Sequence, residues 1–147
     1  MSKLLTLPFF IAALSGIAMA IQGTINAALS NKTSLLSATL VVHIIGTLIA
    51  LVVVLSWRVP FLKYDWPLIP WYLYLGGILS VLIVGLVAVS IPKIGVCNAT
   101  TAIIIGQVSM AVLIDHFGWF NMARVPWNSS QLIGIVLFAA GAKLLFR

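Results

Sequence analysis

Five intervals of this chain contain no Asp, Glu, Lys or Arg: those between Lys3 and Lys32, Lys32 and Arg58, Asp65 and Lys93, Lys93 and Asp115, and Arg124 and Lys143. A helix crosses the hydrocarbon core of a bilayer with about 20 consecutive, mostly apolar residues. Reading the apolar windows between polar punctuation predicts helices over roughly 7–29, 35–57, 71–91, 94–114 and 130–146. The expected fold class is an all-α membrane protein, with residues 1–147 forming a single domain of five transmembrane helices. Composition supports this: 63% of residues are hydrophobic and only 7% charged, against roughly 25% charged in soluble domains. A globule of this size leaves about a third of its unfolded-chain surface exposed, too much to hide so many apolar side chains. A soluble enzyme is excluded.

Local signals agree with the segmentation. Ser34 can cap the second helix, and Asn128 with Gln131 three residues later has capping-box spacing for the fifth. Pro92 is expected to break the chain after the third. The longer loops hold Trp57, Phe61, Tyr64, Trp66, Trp71 and Tyr72 on one, and Trp119, Phe120 and Trp127 on the other, amphipathic rings suited to headgroup level. Lys3, the apolar stretch after it and Ala18-Met19-Ala20 have the form of a signal peptide with its cleavage site. The apolar run continues past that point to Leu29, which favours a spanning helix. The single cysteine, Cys97, excludes an intrachain disulfide and any cysteine-built metal site, so no metal and no cofactor are expected. The formal charge of +6 is scattered singly, with no Lys/Arg run to track phosphates, so no nucleic-acid partner is expected.

Sidedness follows from alternating the helices across the bilayer. Lys3, Arg58, Lys63 and Arg124 fall on one side, and Lys32, Lys93, Lys143 and Arg147 on the other. The positive-inside rule then has no bias to act on, and both orientations of one sequence are expected in the membrane. With an odd number of spans, two oppositely oriented copies form an inverted pair about an axis in the membrane plane, the symmetry of many transporters. The expected partners are the lipid bilayer and a second copy in an antiparallel homodimer of ten helices.

Polar side chains within hydrocarbon should face protein or a water-filled cavity. Gln22 and Asn26 share one face of the first helix, beside Gly23. They read either as interhelical hydrogen bonders or as cavity-lining residues. Thr39, His43 and Thr47 repeat at four-residue spacing on the second, with His43 about 13 Å from the helix start. Histidine ordinarily titrates near neutrality, so a midplane His43 suits proton coupling or solute binding; the plainer reading is a neutral ring bonded to a neighbouring helix. Thr100 and Gln107 lie on one face of the fourth helix, Asn98, Thr101 and Ser109 on another. Gly16, Gly23, Gly76, Gly77, Gly106, Gly134 and Gly141 are expected to serve helix packing. Asp115 stands at a helix C-terminus, unfavourable for a carboxylate, so it should find a partner in His116, Arg124 or a second copy. No Glu occurs and no acid lies near the middle of a span, so the buried-carboxylate device of cation antiport is missing and neutral or anionic solutes fit better.

These features together resemble the YdcZ-type inner-membrane exporters, half-size five-helix members of the drug/metabolite transporter superfamily. The resemblance rests on Gly16, Gln22 and Asn26; Pro70-Trp71-Tyr72 leading to Gly76-Gly77; Pro92 with Gly95; Gly106-Gln107; Asp115-His116-Phe117-Gly118; and Gly134 with Gly141. It implies transport, and Gln22, Asn26, Gln107 and Asp115 as candidate site or gate residues. Ser80 and His43 stand where such proteins more often have Gly and an apolar or small polar residue.

The expected function is a secondary transporter or facilitator, not an enzyme, moving a small polar or amphipathic metabolite across the bacterial cytoplasmic (inner) membrane. Gln22, Asn26, His43 and Gln107 would line the solute path, with Asp115, His116 and Arg124 as gate or structural polar residues. The alternatives are a small channel of the same symmetry and a non-transporting accessory subunit. Cysteine tagging of the C-terminus in intact cells should label two populations, one on each side of the membrane; labelling confined to one side removes the dual-topology expectation.

Overall fold

The computed structural model describes residues Ser2–Phe146, with side chains from Leu7 onward. The expected anchors Lys3 (its side chain) and Arg147 lie outside that range. The chain forms α1 (Ser2–Lys32), α2 (Leu35–Ser56), α3 (Leu75–Ile94), α4 (Val96–Phe117) and α5 (Ser129–Leu145), and no strand occurs among the described residues. Four helical stretches, Leu7–Lys32, Leu35–Ser56, Trp71–Ile94 and Val96–Phe117, are long and apolar enough to cross a membrane. At 17 residues α5 would reach about 26 Å, the short end of the spanning range. The all-helical expectation holds, while span length is met by four of the five helices.

Two boundaries differ from the sequence reading. Residues Trp71–Tyr74 form a 3-10 turn after Pro70, and α3 begins only at Leu75. Pro92 does not break α3, which runs on to Ile94. A proline costs its own N–H bond and crowds the preceding turn, which is tolerable this close to a helix end. The break falls instead at Gly95, whose φ of +83° is open to glycine without strain.

The chain divides into two compact units, Met1–Lys93 and Ile94–Arg147. In the first, α1 and α2 pack as a hairpin turning at Thr33-Ser34. The Ser34 hydroxyl accepts from the Ser37 N–H at 3.1 Å, the expected cap. Its buried apolar residues are small, Ala27, Ala38 and Ala88, with Ile91. At Gly23 a Cβ would come within 2.9 Å of Val87 Cγ1 and 3.3 Å of Ile91 Cδ1, so α1 approaches α3 as closely as only glycine permits. Small residues set helix contacts in lipid, where large apolar side chains gain nothing by turning inward. Leu36 is 80% exposed and Leu40 62%, an arrangement that needs hydrocarbon rather than water as solvent.

The end of α2 folds back on itself. The Arg58 N–H donates to the Leu55 carbonyl at 3.2 Å and the Val59 N–H to the Val54 carbonyl at 3.0 Å, the two bonds of a Schellman motif. The motif needs a left-handed residue, and Arg58 takes φ +51°. The second unit uses a left-handed glycine in the simpler αL motif: Gly118 (φ +64°) closes α4 through its N–H to the Ile114 carbonyl. Its chain then returns so that the Val125 N–H donates to the Asp115 carbonyl at 2.8 Å. The expected capping pair of α5 is present, the Asn128 Oδ1 accepting from the Ser130 N–H at 3.2 Å and the Gln131 Oε1 from the Asn128 N–H at 3.3 Å.

Arg58→Gly should relieve a left-handed penalty of about 1 kcal/mol and raise the thermal unfolding midpoint in detergent. Arg58→Ala keeps the Cβ and should give no such gain; equal midpoints for the two variants would remove the strain argument.

Candidate functional site

Helical spacing places Thr39, His43 and Thr47 on one face of α2, and the backbone of α2 itself satisfies part of each. The Thr39 hydroxyl donates to the Leu35 carbonyl at 2.8 Å and the Thr47 hydroxyl to the His43 carbonyl at 2.8 Å. His43, half-buried, has its Nδ1 2.8 Å from the Thr39 carbonyl. A carbonyl only accepts, so Nδ1 carries the proton, and in the neutral ring Nε2 is left as an acceptor. Nε2 lies 3.0 Å from Ser80 Oγ on α3, so the tautomer assigned by the first bond lets Ser80 donate the second. The hydrogen bonding of His43 thus joins two helices, and Ser80 is the partner that sequence spacing did not reveal.

Gln22 and Asn26 share a helix face but not an environment. Asn26 is buried at 5% exposure, whereas Gln22 is exposed. Neither side-chain amide has a hydrogen bond among the described residues. Gln107, near the middle of α4, is likewise exposed and without a side-chain partner there. Three recesses, of about 450, 190 and 600 Å³, are lined by none of Gln22, Asn26, His43 and Gln107. Of the expected packing glycines, Gly23 meets α3 as described; at Gly16, Gly76, Gly77, Gly106, Gly134 and Gly141 nothing lies within 4 Å of where a Cβ would stand.

The loop after α4 organises His116. Its ring sits 4.9 Å from Phe117 and 5.0 Å from Trp127, and its carbonyl accepts from the Arg124 Nε–H at 3.0 Å. Arg124 therefore binds backbone, and no ion pair to the exposed Asp115 carboxylate forms among the described residues. The reason is the left-handed turn at Gly118, which folds Arg124 back over the helix end: its Cβ lies 3.4 Å from where a Gly118 Cβ would stand. His116 Nδ1 is buried with no partner, at a cost of about 1–3 kcal/mol. No group of His, Cys and acidic residues that could hold a metal occurs among the described residues.

Residues 7–144 match the family described as "Putative inner membrane exporter, YdcZ". The chain belongs to this family. No curated protein and no solved structure matches it. As a member of the YdcZ exporter family with four span-length apolar helices, it is an integral membrane protein of a transporter family. The two positions singled out as unusual for that family, His43 and Ser80, are hydrogen-bonded to each other.

Ser80→Ala should cost about 1 kcal/mol of stability and shift the His43 Nε2 nitrogen resonance while leaving Nδ1 unmoved, because the bond to Thr39 lies within α2. A change at Nδ1 instead would show that the ring has turned over.

Proposed function

We propose that the protein is a dual-topology transporter or facilitator for a small polar or amphipathic metabolite, working as an antiparallel homodimer. The observation that carries this reading is the even division of the eight basic residues around five helices. Lys32 stands at the end of α1, Arg58 and Lys63 follow α2, Lys93 lies in the last turn of α3, Arg124 follows α4 and Lys143 lies in the last turn of α5. Each of these six lies at a helix terminus or loop, where it would act as an anchor, and with all five helices spanning, the eight basic residues divide four and four.

The polar inventory supports it. Gln22 and Gln107 are exposed amides on helices long enough to span a membrane, and an amide facing lipid tails is expensive. A second copy and a solute path between copies would supply the missing partners. Gln22, Asn26 and His43 in the first unit, and Gln107 in the second, are the candidate solute-facing positions; their amides and imidazole can hydrogen-bond a polar solute, and with no acidic residue near the middle of a span neutral or anionic solutes fit better. Asp115, His116 and Arg124 are candidate gate residues, with the Asp115 carboxylate free to pair outside its own chain. The cytoplasmic membrane of a bacterium is the proposed location.

The double variant Gln22→Ala and Asn26→Ala should abolish solute flux into vesicles while the dimer stays assembled on size-exclusion chromatography in detergent. Undiminished flux would take both residues out of the path.

A further inference from the structure

The Schellman turn after α2 brings Val59–Lys63 back against the helix, and a recess of about 600 Å³ opens beneath it. Its walls include Leu51, Val54, Leu55, Val59 and Phe61, and Lys63 is its one charged lining residue. From Thr47 to Leu55 it follows α2 for about 12 Å, from within the apolar span to its end. The loop wall is held by its own bonds: the Trp66 Nε1–H donates to the Phe61 carbonyl at 2.8 Å, and Phe61 and Trp66 rings lie 4.7 Å apart. The Tyr74 hydroxyl donates to the Trp66 carbonyl at 2.8 Å. Such aromatic residues mark headgroup level, so the cation sits at the depth of lipid phosphates while the groove below it lies among acyl chains.

We propose that this recess is a binding site for one anionic phospholipid, an acyl chain lying along α2 and the phosphate paired with Lys63. Charge complementarity selects that occupant over a second copy. The chain has only two acidic side chains, Asp65 after α2 and Asp115 in the last turn of α4, and in the five-span arrangement proposed above both stand on the membrane side of Lys63. In an inverted pair the partner presents its other side here, with Lys32, Lys93 and Lys143 and no acidic side chain. That exclusion rests on the dimer proposed above, but the lipid test below reads lipid and not orientation or flux, so either can fail alone. Basic sites beside transmembrane helices bind anionic headgroups in this way.

The test is native mass spectrometry of the full-length protein in neutral detergent with phosphatidylglycerol or phosphatidylcholine of identical acyl chains. Phosphatidylglycerol should be retained about fivefold better. Lys63→Gln should erase that preference without lowering the unfolding midpoint in lipid-free detergent, and Ala50→Phe, which fills the groove, should reduce retention of both lipids. Equal retention by the unmodified protein, or a preference that survives Lys63→Gln, overturns the proposal. So does efficient disulfide crosslinking of two copies through Ala50→Cys in a Cys97→Ser background, which would mean a second copy covers the recess.

Discussion

The absence of water from the bilayer core governs this structure more than any single contact. Every polar group carried into hydrocarbon must find its partner within protein, and this chain finds most of them close at hand. Helices satisfy the backbone, and hydroxyls bend back onto it: Thr24 to the Ala20 carbonyl, Thr39 to Leu35, Thr47 to His43, Ser90 to Leu86 and Thr101 to Cys97, all at 2.7–2.9 Å. Each of these polar residues is thereby neutralised within its own helix and asks nothing of its neighbours.

Side chains that cannot be satisfied this way stand apart. Histidine has two nitrogens pointing opposite ways, so His43 uses one on its own helix and the other on α3. Glutamine and asparagine carry both a donor group and an acceptor, more than one i−4 carbonyl can serve. Among the described residues, Gln22, Asn26 and Gln107 are thus side-chain amides that leave hydrogen-bonding capacity over within the span-length helices.

The same solvent logic shapes the packing. Lipid tails are as apolar as leucine, so close approach is made by Gly23, Ala27, Ala38 and Ala88 while bulky residues turn outward. At the membrane surface the logic inverts. Rings with a polar edge, Trp66 and Tyr74, hydrogen-bond the loop after α2 into a fixed wall, and Trp127 packs on His116 after α4.

The number of helices, their approximate ends and both caps, at Ser34 and at Asn128 with Gln131, were legible because they depend on residues within a turn of each other. So was the membrane itself, since hydropathy and charge spacing are one-dimensional. Pro92 misled because its effect depends on how far the helix continues beyond it, and of the three partners expected for Asp115 (His116, Arg124 or a second copy) Arg124 is drawn away because a left-handed turn at Gly118 directs it to the His116 carbonyl. The sequence determined the solvent and the secondary structure. Only the tertiary structure decided that His43 meets Ser80, 37 residues away, that Asn26 is buried and Gln22 is not, and that Lys63 rims an apolar recess. Those outcomes depend on which helix faces come together, and helical periodicity places a residue on a face without saying what that face will touch.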